Sequence, residues 1–204
     1  PQEDRVEVNR YHNRSKHPAV LSDYDWNRTV ELPVENPKGG VLLLHGLTDA
    51  PYSLRHIAEL YQGQGYYVLA IRLPGHGTIP SALNYCHWRD WAAATEIGAE
   101  TVKVRIGEDM PFHIVGYSNG SALAVNYALD ALDHSHLPSP DQLILISPMI
   151  GIDSDARLTK WISLVGAIPY FKQSRWLDIT PEYMPYKYCS FPANAAYQSY
   201  LITR

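Results

Sequence analysis

The stretch Phe112-His113-Ile114-Val115-Gly116-Tyr117-Ser118-Asn119-Gly120-Ser121-Ala122 restricts what this chain can become more than any other. Its apolar run, Phe112 to Val115, reads as a buried strand and passes without a spacer into a G-x-S-x-G pattern. Helical spacing follows from about Ser121 to Asp133, with Ala122, Val125, Leu129 and Leu132 expected on one face. The five-residue pattern is common by chance. Placed between a strand and a helix, it becomes the signature of a nucleophile elbow. Such a turn strains the backbone of its central residue, and flanking glycines let neighbouring main chain approach where a Cβ would clash. Ser118 is therefore read as an acyl-transfer nucleophile presented at the tip of a sheet.

The flanking sequence supports a sheet of that kind. Val41-Leu42-Leu43-Leu44, Tyr67-Val68-Leu69-Ala70-Ile71 and Leu143-Ile144-Leu145-Ile146 are continuous apolar runs, as in strands covered on both faces. Between the first two, Leu54, Ile57, Ala58 and Tyr61 recur at helical spacing before Gly63 and Gly65. Trp88, Trp91, Thr95, Ala99, Val102 and Ile106 mark one side of a helix from about 88 to 106. Thr29 to Val34 is a further strand candidate, ended by Pro33 and the turn cluster 36–40. Strands alternating with amphipathic helices predict an α/β fold, a mainly parallel sheet flanked by helices. Residues 1–28 are polar and irregular and read as an arm on a core spanning 1–151. Beyond Ile150 the alternation stops. The segment 152–204 is rich in tyrosine and broken by Pro169, Pro181, Pro185 and Pro192, with a short amphipathic helix expected around Trp161, Ile162, Leu164 and Val165. It reads as a cap over the strand ends or as a peripheral excursion that only covers core.

Composition excludes several classes of function. A chain of 204 residues, 46% hydrophobic, buries one sizeable core. A net charge of −4 with no run of Lys or Arg argues against nucleic acid or an anionic membrane as partner. No apolar stretch approaches the roughly 18 residues that span a bilayer. The start lacks signal-peptide features, which points to the cytoplasm, although a chain beginning Pro1-Gln2-Glu3 leaves a removed leader open. Cys86 and Cys189 read as two free thiols, with a bridge conceivable only in an exported protein. No His/Cys/Asp cluster has metal spacing, and no nucleotide-binding glycine loop is present, so the expected chemistry uses no metal and no cofactor.

In a parallel sheet, ligands sit outside the carboxyl ends of the strands, where the loops after Leu44, Ile71, Val115 and Ile146 converge. Attack on an ester carbonyl creates an oxyanion, and main-chain N–H groups aimed at it form the usual stabilising site. Asn119, directly after the serine, offers one such N–H. The loop His45-Gly46-Leu47 offers the other at Leu47. His45 is expected to brace that loop by hydrogen bonding rather than to move protons, and His76, between two glycines, to shape the pocket mouth.

At this point the chain resembles the serine hydrolases of the α/β-hydrolase fold, and among them the monoacylglycerol lipase, lysophospholipase and carboxylesterase group. The residues that carry the resemblance are Leu44-His45-Gly46-Leu47-Thr48, Arg72-Leu73-Pro74-Gly75-His76-Gly77-Thr78, Trp88-Arg89-Asp90-Trp91 and Gly116-Tyr117-Ser118-Asn119-Gly120. Ser121 departs from the glycine that commonly follows. The resemblance implies cleavage of a small or lipid-like carboxylic ester through an acyl-enzyme. Its cap-like segment would supply an apolar wall with Trp161, Ile162 and Leu164 as candidates. It also implies an acid and then a histidine after two further strands, in that order after the nucleophile. Only His134 and His136 follow Ser118, in a loop expected at the opposite edge of the sheet, and Asp153 and Asp155 read as cap-loop residues. The expectation is an N-terminal fragment whose acid, histidine and last strands lie beyond Arg204. The alternatives are a peptidase, amidase or thioesterase on the same scaffold, or a silent binding protein. Oligomeric state is not legible.

Overall fold

A computed structural model describes residues 25–151 and 175–204. Its centre is a five-stranded sheet, ordered β1-β3-β2-β4-β5, with β1 (Val30–Leu32), β2 (Gly40–Leu44), β3 (Tyr67–Ile71), β4 (Phe112–Tyr117) and β5 (Gln142–Ile146). β1 pairs antiparallel with β3, and all other pairs are parallel. The five residues of β2 and of β3 are all buried, as their unbroken apolar sequences require. β1 alternates buried and exposed residues and stops at Leu32, because Pro33 cannot extend the ladder.

Three crossover helices join the parallel strands: α1 (Arg55–Gly63), α2 (Trp88–Ile106) and α3 (Asn119–Asp133). Strand alternation divides the core in two. Leu42, Leu44, Leu69, Ile71 and Ile114 belong to the cluster beneath α2 and α3. Val41, Leu43, Val68, Ala70 and Val115 belong to the one that contains Leu54 and Ala58 of the α1 region. His87 and Asp90 close a capping box at the start of α2, and Gly107 at φ 91° ends it. A two-stranded ribbon of β6 (Trp176–Asp178) and β7 (Phe191–Pro192) leads into α4 (Ala193–Ile202). Tyr188, Ala195 and Ile202 join the α2/α3 cluster, so this stretch packs as part of the core.

One detail of the sequence reading is overturned. α3 begins at Asn119 and buries Leu123, Ala124, Tyr127 and Ala131, while Leu129 and Leu132 are 57% and 78% exposed. The face turned to the core carries Leu123 and Tyr127 between small residues, and Leu129 and Leu132 fall on the solvent side. The helix expected around Trp161 to Val165 lies outside the described residues.

Candidate active site

β2 and β4 are neighbours in the sheet but are followed by crossovers that leave in opposite directions, so their carboxyl ends flank a topological switch point. The pairing sets Leu44 beside Gly116, and the chain turns immediately beyond each. After β4, Ser118 adopts φ 52° and ψ −113°, a conformation that costs a non-glycine residue about 1–3 kcal/mol. Several hydrogen bonds hold it there. The Ser118 N–H donates to the Ile146 carbonyl at 2.9 Å, and its own carbonyl accepts from the N–H groups of Ser121 at 3.0 Å and Met149 at 3.4 Å. The buried Ser121 hydroxyl donates to the Gly116 carbonyl at 2.7 Å, so the residue that departs from the common glycine braces the turn. A Cβ on Gly116 would strike the Gly120 main chain, and one on Gly120 would strike the Leu44 carbonyl. Both glycines are steric requirements of the elbow.

The loop after β2 is held as firmly. His45 is fully buried. Its Nε2 accepts the Leu73 N–H at 3.1 Å, which leaves the proton on Nδ1 to donate to the Gly46 carbonyl at 2.9 Å. Burial holds its pKa well below the usual value, with the neighbouring His76 adding to the effect, so the ring is neutral. A Cβ on Gly46 would lie 2.6 Å from Asp49 Oδ2 and 3.2 Å from the Tyr117 ring, which places this loop directly against the elbow. The next carbonyl, that of Leu47, lies 2.7 Å from His76 Nε2. His76 is also lowered, chiefly by burial, although its contacts with the carbonyls of Leu47, Pro74 and Leu73 act the other way. Asp49 sits 3.9 Å from Lys187 Nζ, and burial raises its carboxyl against that attraction.

These contacts fix two peptide planes. In a trans peptide the C=O and N–H point in opposite directions. The Gly46 carbonyl is taken by His45 and by the Asp49 N–H, so the Leu47 N–H faces away from them. The Ser118 carbonyl is taken likewise, so the Asn119 N–H faces away from Ser121 and Met149. Neither N–H, nor the half-buried Ser118 hydroxyl, has a hydrogen-bond partner among the described residues. The structure therefore gathers Ser118, Asn119, His45, Gly46 and Leu47 at one end of two adjacent strands.

Among the described residues, no general base is gathered there. His45 and His76 have both ring nitrogens against main-chain groups. His134 and His136 follow α3, whose 15 residues carry them about 22 Å from the elbow. Trp161, Ile162, Leu164, Asp153 and Asp155 lie outside the described residues. Cys86 and Cys189 are free thiols, and no cluster of metal-ligating side chains occurs among the described residues. Likewise, no described helix is long and apolar enough to cross a membrane. Sequence reasoning missed the clamp made by residues 185–199. Asn119 Oδ1 accepts from the Ser199 hydroxyl at 3.2 Å, and the Thr48 carbonyl accepts from the Tyr188 N–H at 2.7 Å. No local pattern announces contacts between residues so far apart in the chain.

Comparison with known proteins bears on the family and the fold. The chain is similar to the thermostable monoacylglycerol lipase of Bacillus sp. (strain H-257), 38% identical over 94 residues, which are 46% of this chain and 36% of that protein. It is also similar to the phospholipase YtpA of Bacillus subtilis (strain 168), 26% identical over 119 residues, 58% of this chain and 43% of that one. It thus spans less than half the length of either curated relative. A solved structure reported for LipS and LipT, two metagenome-derived lipolytic enzymes, superimposes with a TM-score of 0.67 at 21% identity, covering 87% of this chain and 68% of that one. Together these findings identify the fold as that of the α/β-hydrolases. The profile of the family Hydrolase_4, serine aminopeptidase S33, matches residues 35–189, more than half of the chain, and the chain belongs to that family.

Proposed function

We propose that this protein is a serine hydrolase cleaving carboxylic esters of small or lipid-like substrates, with Ser118 as nucleophile. One observation carries the reading. Among the described residues, Ser118 is held at positive φ with an unpartnered hydroxyl, beside two peptides whose carbonyls are tied back and whose N–H groups, at Leu47 and Asn119, are uncommitted. In the first step the Ser118 Oγ attacks the ester carbonyl while its proton passes to a base outside the described residues. The carbonyl oxygen becomes an oxyanion held by the two N–H groups. Because these donors are already oriented, no reorganisation is needed as charge develops; losing one such donor typically costs about 3 kcal/mol. The tetrahedral adduct expels the alcohol, which takes up the proton, and leaves an acyl-serine that water hydrolyses by the same route. No step calls for a cofactor.

The names of the relatives, a monoacylglycerol lipase and a phospholipase, support esters of lipid-like character. The matched family is described as an aminopeptidase, which keeps amide cleavage as the second reading. The test is hydrolysis of p-nitrophenyl butyrate and of an aminoacyl p-nitroanilide by the complete gene product, beside Ser118→Ala. The ester should be the better substrate. The substitution should lower kcat by at least about a thousandfold with folding unchanged. Activity indifferent to the substitution would refute Ser118. Faster anilide turnover would favour the peptidase, and no turnover with no fluorophosphonate labelling a binding protein.

A further inference from the structure

Residues 185–199 return to the site from the far end of the chain, and Tyr188 is where they meet it. The side chain is buried, with the residue 3% exposed. Its main-chain N–H donates to the Thr48 carbonyl at 2.7 Å. Its phenol donates to the Gly75 carbonyl at 2.8 Å and accepts the Thr78 N–H at 3.0 Å. Its ring lies nearly parallel to that of His76, 11° apart with centroids at 6.3 Å, and His76 in turn holds the Leu47 carbonyl.

Three successive carbonyls of the 46–48 loop thus lie against three different residues: His45 at Gly46, His76 at Leu47 and Tyr188 at Thr48. The first determines where the Leu47 N–H points. The other two determine whether the rest of the loop keeps it there. The phenol of Tyr188 closes the circuit, because it fastens the 75–78 turn that carries His76. A residue needed only for packing would need only the ring. Here the oxygen is wedged between a main-chain acceptor and a main-chain donor of one loop, while the backbone of the same residue grips the other.

We infer that Tyr188 is a positioning residue for the oxyanion site, joining the 185–199 segment to the loop that carries the Leu47 N–H. The inference rests on the ester-hydrolase reading above. A donor displaced by a fraction of an ångström stabilises the oxyanion less while leaving ground-state binding nearly untouched, so the effect belongs in kcat rather than KM.

The experiment compares wild type, Tyr188→Phe and Ser118→Ala in the complete gene product, using p-nitrophenyl butyrate, a fluorophosphonate probe and amide hydrogen exchange. In Tyr188→Phe, kcat should fall about ten-fold with KM within two-fold, and labelling of Ser118 should slow to match. Exchange should quicken at residues 47–49 and 75–78 while α2 is unaffected. Unchanged kcat overturns the inference. So does a loss of kcat without faster exchange at those two loops, or with faster exchange throughout. If wild type is active, Ser118→Ala is dead and Tyr188→Phe equals wild type, only this inference falls. If wild type neither turns over nor labels, the ester reading falls with it.

Discussion

At Gly120 the main chain of the elbow helix lies against the end of β2, and a Cβ there would run into the Leu44 carbonyl, which cannot move without breaking the sheet. Gly120→Ala should therefore lower unfolding stability by about 1–3 kcal/mol, as overpacking does, and urea denaturation measures it. Gly63 is the control. It lies in α1, and a methyl group added there would have no neighbour within 4 Å, so Gly63→Ala should be neutral or stabilise by up to about 1 kcal/mol. His45 combines structure with chemistry at the same scale. Removing its ring leaves the buried Leu73 N–H without an acceptor and the Gly46 carbonyl held by the Asp49 N–H alone. His45→Ala should cost about 1–3 kcal/mol of stability and lower kcat by about ten-fold or more, read from denaturation and ester hydrolysis on one preparation.

Among the elements, α2 shows which of two effects wins. Its capping box, His87 with Asp90, contributes about 1 kcal/mol at an exposed end. Its inner face buries Trp91 completely, and the indole N–H donates to the Pro74 carbonyl at 3.0 Å, tying the helix to the turn ahead of His76. Trp91→Ala should cost about 3–5 kcal/mol against about 1 kcal/mol for Asp90→Ala, a difference that thermal and urea unfolding resolve. Packing outweighs capping. The same priority explains α3, where Ala124, Tyr127 and Ala131 face the core and Leu129 and Leu132 face solvent. Apolar residues run round most of this helix, so their periodicity alone does not single out the face that the sheet takes.

Across the whole molecule, burial depresses the pKa of both His45 and His76 below the usual 6.5. Below that value the unfolded chain binds protons that the folded chain refuses, so stability present above it is lost as pH falls towards the folded values. The slope is at most about 1.4 kcal/mol per pH unit for each group. Asp49, raised from its usual 3.8 by burial, acts with the opposite sign. Urea midpoints at pH 7.5, 6 and 5 should therefore decline, less steeply in His76→Gln than in wild type. A second whole-molecule feature is β5. Among the described residues nothing pairs with its outer edge, and Ile144 and Ile146 border a groove of about 540 Å³ shared with Ile57, Tyr61 and Val115. An unprotected apolar edge invites association. The 204-residue chain alone should self-associate with rising concentration in sedimentation velocity, and Ile144→Lys should suppress this; a monomer throughout would show the edge to be covered.

The amino-acid sequence by itself determined the strands β2 to β5, the α/β order and the elbow. Each is written in local terms: unbroken apolar runs, helical periodicity, and glycines two residues either side of a serine. It also pointed to Leu47, Asn119 and His45, because the loops after parallel strands converge at one end of a sheet. Only the tertiary structure decided which peptides are turned, and by what. The tautomer of His45, the grip of His76 on the Leu47 carbonyl, the brace from Ser121, and the return of Tyr188 and Ser199 onto the site are contacts between residues distant in the chain or set by three-dimensional orientation. Hydrogen-bond direction depends on where two chain segments meet, and no local pattern of residue types contains that information.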